Sequence, residues 1–200
     1  MINLTPHKTT VFISGSSRLK KLNNEMKKCL DDLMQRDVRV IVGDCFGIDH
    51  LSQKYLKQHG FSDVTVYCST EKPRKCEYPS VKSMWAESQG KTGEDFYQVK
   101  DKAMCNECDE AIAFWNGYSY GVKCNIDRVR AMNKPMTVII EEQPMPEGYG
   151  KLVSIPEYNK GDREVAFSYS TGSTIGKADG LTTYGFVRSS SSVSFRGLSG

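Results

Sequence analysis

The 200-residue sequence has no apolar run long enough to cross a membrane, and its opening MINLTPHKTT has no apolar core of signal-peptide length. Both absences set the expectation of a cytoplasmic protein without a membrane partner. An excess of one charge is also missing: 27 Lys and Arg against 24 Asp and Glu give only +3. Proteins that track nucleic acid show a clustered basic excess, so nucleic acid is disfavoured as a partner. Histidine is scarce and scattered (His7, His50, His59), and no spacing nominates a nucleophile–His–acid set. The seven cysteines are odd in number and dispersed through apolar and helical stretches, which excludes a secreted disulfide framework. Cys105 and Cys108 form a CxxC, but no second CxxC or His pair follows at zinc spacing. Within a helix that pair reads as packing, so no metal is expected, and no cofactor either. The phosphate-binding P-loop and the GxGxxG fingerprint are absent as well.

What is present is an alternation. Five short runs have strand character: TTVFIS (9–14), VRVIV (38–42), VTVYC (64–68), AIAFW (111–115) and MTVII (136–140). They are rich in β-branched and aromatic residues and mostly apolar throughout, as strands buried on both faces are. Helical periodicity fills the gaps. Leu19, Leu22, Met26, Leu30 and Leu33 recur at three and four over 18–34, and a second helix runs from about Asp49 to His59 and stops at Gly60. Further helices are read over 94–109 and around 122–132. The fold expected is α/β: a Rossmann-like open parallel sheet of about five strands, order 3-2-1-4-5, with helices on both faces. Residues 70–93 break the rhythm and read as a long loop. After Ile140 the chain turns Pro-, Gly- and then Ser-rich, so a domain over 1–142 is set apart from an extension over 143–200, flexible or in contact with another subunit.

Ligands of open α/β sheets bind beyond the carboxyl ends of the strands, where strand order reverses. Three loops there are small and polar. SGSSR (14–18) offers Gly15, Ser16, Ser17 and Arg18 at what reads as a helix start, where unpaired amides attract an anion; the alternative is that Ser16 or Ser17 only caps the helix. GDCFGID (43–49) places Gly43 and Gly47 around Asp44 and Asp49. Those glycines serve either a tight turn, with Asp49 as helix cap, or a ligand that needs bare backbone, with Asp44 accepting sugar hydroxyls. NGYSYG (116–121) offers Asn116, Gly117, Ser119 and Gly121 before a helix, with Tyr118 and Tyr120 as flat faces for a base. The expected strand order brings all three loops to one crevice.

In combination, ISGSSR, IVGDCFGIDHLSQKYL and KDKAMCNECDEAIAFWNGYSYGVKCNIDRVRAMNKPMTVI resemble the SLOG superfamily of Rossmann-like domains, in its YspA-type and DprA-like branch, over about residues 9–140. The resemblance implies a DprA-type sheet and a pocket for a nucleotide-derived ligand, in a group some of whose members act in bacterial or phage conflict systems. By motif it carries over Gly15, Ser16 and Arg18, then Gly43, Gly47 and Asp49, then Asn116, Gly117, Ser119 and Gly121, with Asp101 at the helix-aspartate position. Cys45-Phe46 departs from the small residues usual in the second loop and narrows the expected pocket. Lys100 stands where arginine is common, and Val122 replaces a threonine. The PGGxGTxxE phosphoribohydrolase signature is absent.

The leading expectation is therefore a binding module that senses, carries or sequesters a nucleotide-derived small molecule. The alternative is a nucleoside or nucleotide N-glycosidase or transferase with Asp101 and Asp49 as catalytic carboxylates. A further alternative is an interaction protein acting through its extension, whose aromatics Phe167, Tyr169, Tyr184 and Phe186 favour a homo-oligomer.

Overall fold

The computed structural model describes residues 7–141, residue 143 and the backbone of 162–168. Among the described residues, seven parallel strands form one open sheet. In chain order they are β1 (Thr9–Gly15), β2 (Val38–Gly43), β3 (Val64–Cys68), β4 (Val81–Ser83), β5 (Glu110–Trp115), β6 (Met136–Glu141) and β7 (Asp162–Ser168). The helices are α1 (Asn24–Met34), α2 (Ile48–Gln58), the single turn α3 (Trp85–Ser88), α4 (Gly93–Glu107) and α5 (Tyr120–Ala131). The sheet order is β4-β3-β2-β1-β5-β6-β7, so its five central strands follow the expected 3-2-1-4-5 order.

Side-chain alternation along each central strand separates two cores. Val11 and Ile13 of β1, Val40 and Val42 of β2, and Ile112 and Phe114 of β5 pack on one side with Met26, Leu30 and Leu33 of α1 and Ile48 and Leu56 of α2. Phe12, Ile41, Ala113 and Trp115 face the other way, against Met104 of α4 and Ile126 and Val129 of α5. Helices thus cover both faces, which is why these strands carry almost no polar residues in their middle.

Two helix ends follow from single residues. Gly60 has φ +78, Gly60 N–H donates to Lys57 O, and Phe61 N–H donates to Leu56 O, a Schellman ending for α2. Asn133, at φ 54, ends α5 in the same way.

The strand count departs from expectation at both edges. The segment read as a loop over 70–93 contains β4 and α3. β4 was invisible to an apolar-run criterion because Val81-Lys82-Ser83 is short and exposed. β7 lies within the Ser- and Gly-rich extension and pairs with β6. Tyr169, Tyr184 and Phe186 lie outside the described residues, and the side chain of Phe167 does too. Helix α1 also starts six residues later than its periodicity suggests. Leu19, buried in the core, sits in a turn closed by Leu19 N–H to Ser16 O, and the Asn23 side chain caps the helix by accepting Met26 N–H at 2.8 Å.

Ile41 is fully buried between the sheet and α4. Ile41→Ala is expected to lower the unfolding free energy by about 2–5 kcal/mol. Val81→Ala at the exposed edge should change it by less than about 0.5 kcal/mol. Urea unfolding of the two variants checks both.

Candidate functional site

The three polar loops meet at the carboxyl ends of β1, β2 and β5, and Ser16 is the hub. Its N–H donates to Phe114 O at 3.0 Å, and its carbonyl accepts Ile48 N–H and Leu19 N–H, both at 3.3 Å. Its hydroxyl donates to Asn116 Oδ1 at 3.0 Å and accepts Asn116 N–H at 3.1 Å. Asn116 Oδ1 also accepts the N–H groups of Tyr118 and Ser119, which fixes which end of the amide is oxygen. Asn116 Nδ2 is consequently buried with no partner. A buried donor left unmade costs about 1–3 kcal/mol.

The glycines of the second loop now have a physical account. Gly47 has φ +74, and a Cβ there would lie 2.5 Å from the backbone of Ser17. A Cβ on Gly15 would lie 2.0 Å from Ile48 Cγ2. On Gly43 it would lie 2.3 Å from Asp49 Oδ2 and 2.9 Å from Lys100 Nζ. What approaches this bare backbone is the protein itself: loop against loop at Gly15 and Gly47, and a buried carboxylate and ammonium at Gly43.

That ammonium belongs to a cluster of charges around the end of β2. Asp44 is fully buried and held by Arg74, whose Nη2 donates to Oδ1 at 2.7 Å while its Nε and backbone N–H donate to Oδ2, each at 3.0 Å. Burial alone would raise the Asp44 carboxyl, but the Arg74 bonds outweigh it and hold it below the usual carboxylate range. Asp44 therefore does not offer its oxygens to sugar hydroxyls; Arg74 occupies them. Asp49, also buried, accepts Cys45 N–H at 3.2 Å. Burial pushes Asp49 up to about 6 against the opposing pull of Lys100. Lys100 is buried and bonded to Asp101 at 2.7 Å; burial disfavours its charge, yet Asp101, Cys45 and Asp49 together raise it. Burial likewise pushes the Cys45 thiol up to about 11.

Helix position explains Lys100. Lys100 and Met104 fall at i and i+4 and are both buried, so the lysine lies on the face of α4 turned to the core. The spacing made that legible. Arg74 carried no such signal within the mixed charges of EKPRKCEYP.

Three expectations about the loops change. The first loop does not open a helix, because α1 begins at Asn24; Ser17 and Arg18 are exposed in a turn. Tyr118 is buried and presents no stacking face. Phe46 points outward, 56% exposed, and does not narrow the crevice. Elsewhere the third loop keeps its expected form. Gly117 has φ +86, Trp115 Nε1–H donates to Ser119 O at 3.0 Å, and α5 has no acidic residue in its first turn. A Cβ on Gly121 would meet nothing within 4 Å, so open space lies over this helix start.

Among the described residues no group of three or more His, Cys, Asp or Glu is placed to hold a metal, and none of the helices is long and apolar enough to cross a membrane. The thiols of Cys105 and Cys108 are buried, and burial pushes them up to about 12 and about 11. Two cavities lie away from the loops. One of about 300 Å³, lined by Arg36, Glu110 and Met136, is at the opposite end of the strands, and one of about 470 Å³ lies between Met84 and α4.

No family model matches the chain, and no curated protein matches it. Among solved structures it is similar to DNA processing protein A from Helicobacter pylori, described for its single-stranded DNA binding mode. The identity is 13% and the TM-score 0.49, over 70% of this chain and 67% of that one. It is similar to DNA processing protein A (DprA) from Streptococcus pneumoniae at 14% identity and TM-score 0.49, over 70% of this chain and about half (52%) of that one. A third is the Moco carrier protein of Chlamydomonas rheinhardtii, at 12% identity and TM-score 0.44, over 66% of this chain and 76% of that one. The sheet order itself shows the Rossmann-like open parallel arrangement that was expected. The expectation that disfavoured nucleic acid is corrected here: a protein of similar fold is described by the single-stranded DNA it binds, and a mild net charge does not exclude that class.

Two variants test the cluster. Gly43→Ala is expected to cost about 1–3 kcal/mol, and less in an Asp49→Ala background, where the crowding carboxylate is gone. Asp49 is raised from 3.8 to about 6, so the folded chain keeps a proton that the unfolded chain has released. Its contribution to stability therefore falls as pH rises from about 4 to about 6. Asp49→Asn should flatten that part of the stability–pH curve, measured by urea unfolding across the window. An unchanged slope contradicts the assignment.

Proposed function

We propose that this protein binds a nucleotide-derived small molecule in the crevice at the carboxyl ends of β1, β2 and β5, and so senses, carries or sequesters it. The observation that carries the reading is the junction of three loops through Ser16 and Asn116, beside a helix start with open space over Gly121. Amides at the start of a twelve-residue helix attract an anion, and no acidic side chain in the first turn of α5 opposes one. The unpartnered Asn116 Nδ2 adds a donor at the same junction. Ser16 and Asp44 serve this site as scaffold, since their polar atoms are already bonded within the protein. Gly15, Ser17, Arg18, Gly47, Gly117, Ser119 and Gly121 are the positions left at the rim.

One observation favours cleavage as a second reading. Asp101 and Asp49 stand in contrasting environments around Lys100. The Asp101 side chain keeps 15% exposure and pairs with the ammonium, while Asp49 is buried and protonates near pH 6. Environments that separate two carboxylates in this way suit one to act as base or nucleophile and the other as acid.

The readings separate in one experiment. Pure protein is incubated with cell extract, washed and denatured, and the released small molecules are identified by mass spectrometry. The binding reading predicts an intact nucleotide-derived molecule that is lost in Gly121→Trp, a variant that fills open space without straining the backbone. Free base accumulating in the extract, abolished by Asp101→Asn, supports the second reading. Nothing released from either protein contradicts both.

A further inference from the structure

The rim of the crevice carries aromatic rings that the core does not use. Phe46 is 56% exposed, Tyr97 44% and Trp85 43%, the three most exposed large apolar side chains among the described residues. These rings are organised. Arg74 lies over the Tyr97 ring, 4.7 Å from its centroid, and the next residue, Lys75, lies over the Phe46 ring at 5.0 Å. Tyr97 meets Phe96 edge-on at 5.2 Å, and Phe96 meets Trp85 at 6.5 Å. Arg74 is itself immobilised by three bonds to Asp44 and one to Cys45 Sγ, so the ring beneath it has a fixed ceiling.

The rings are contiguous with the crevice. Phe46 is one peptide, about 3.8 Å between Cα atoms, from Gly47, which packs directly on the backbone of Ser17. The charges select the occupant. The charge of Arg74 is balanced by Asp44, whereas Lys75 makes no ion pair among the described residues, so the rings carry one unbalanced positive charge that disfavours a cationic ligand. A flat π-face joined to an anionic group suits both features, and nucleobases carrying phosphate have that chemistry.

We propose that Phe46 and Tyr97, with Arg74 and Lys75 over them, form the base-stacking platform for the ligand of the crevice, so that the ligand retains its nucleobase. This rests on the crevice reading above and assigns the base to the second loop and α4, in place of Tyr118 and Tyr120.

The full chain is titrated calorimetrically with the four ribonucleoside monophosphates and with ribose 5-phosphate, which lacks only the base. At least one monophosphate should bind about tenfold or more tightly than ribose 5-phosphate. Phe46→Ala and Tyr97→Ala, both at exposed positions, should remove most of that advantage while changing ribose 5-phosphate affinity less than twofold. Equal affinities for all five compounds, or an advantage that survives in the double variant, overturn the platform but leave the crevice. No binding by any of the five overturns the crevice reading and this one with it. A single-stranded oligonucleotide that needs both rings, where no monophosphate binds, assigns the rings to a polymer and overturns the proposal.

Discussion

The arrangement depends on one serine with no solvent-exposed surface. Ser16 directly follows β1, and its three polar groups bond four residues: its N–H goes to Phe114 of β5, its hydroxyl to Asn116, and its carbonyl to Ile48 at the start of α2 and to Leu19. Its hydroxyl bonds span a hundred residues of sequence. Each is worth about 0.5–1.5 kcal/mol net, but leaving any one unmade in a buried place would cost more. The loops are therefore locked in their relative positions by hydrogen-bond geometry. Glycine at positions 15 and 47 completes the constraint by letting backbone and Ile48 approach where any Cβ would collide.

Next to this neutral hub stands a charged one. Asp44, Asp49, Asp101, Arg74 and Lys100 gather at the end of β2, with Asp44, Asp49 and Lys100 buried. Burying charge is unfavourable unless each group is paired. Asp44 and Asp101 have their partners, whereas Asp49 resolves the excess by holding its proton to about pH 6. Residues 70–77 are thereby tied to the second loop and to α2: Arg74 to the loop through Asp44, and Glu77 to the helix through His50 at 2.8 Å and Gln53 at 2.9 Å. These bonds fix the segment on its neighbours at both Arg74 and Glu77. That same ordering holds Arg74 and Lys75 over the exposed rings.

The centre of the fold was legible and its margins were not, for identifiable reasons. Strands covered on both faces are mostly apolar, so β1, β2, β3, β5 and β6 stand out as apolar runs despite Arg39 in β2, and the glycine and asparagine that end α2 and α5 appear as punctuation. β4 is three exposed residues paired at an edge and has no pattern to display. The start of α1 was masked because Leu19 continues the helical spacing while filling the core from a turn. In the site, the loops could be located from composition, but the identity of what approaches their glycines could not. Asp44 reads the same whether it meets a sugar or Arg74, since a tertiary pair thirty residues apart leaves no local signal. Lys100 did leave a local signal, four residues before the apolar Met104 on one helix face, although it was not expected to be buried.

The most direct test of the crevice is a map of amide shifts. ¹⁵N-labelled protein is titrated with a bound nucleotide recovered from extract, or with the tightest-binding monophosphate, and backbone resonances are followed. The account predicts the largest shifts at Gly15, Ser17, Gly47 and Gly117 to Gly121, where the three loops meet. Shifts concentrated at the far end of the strands, around Arg36 and Glu110, would contradict it.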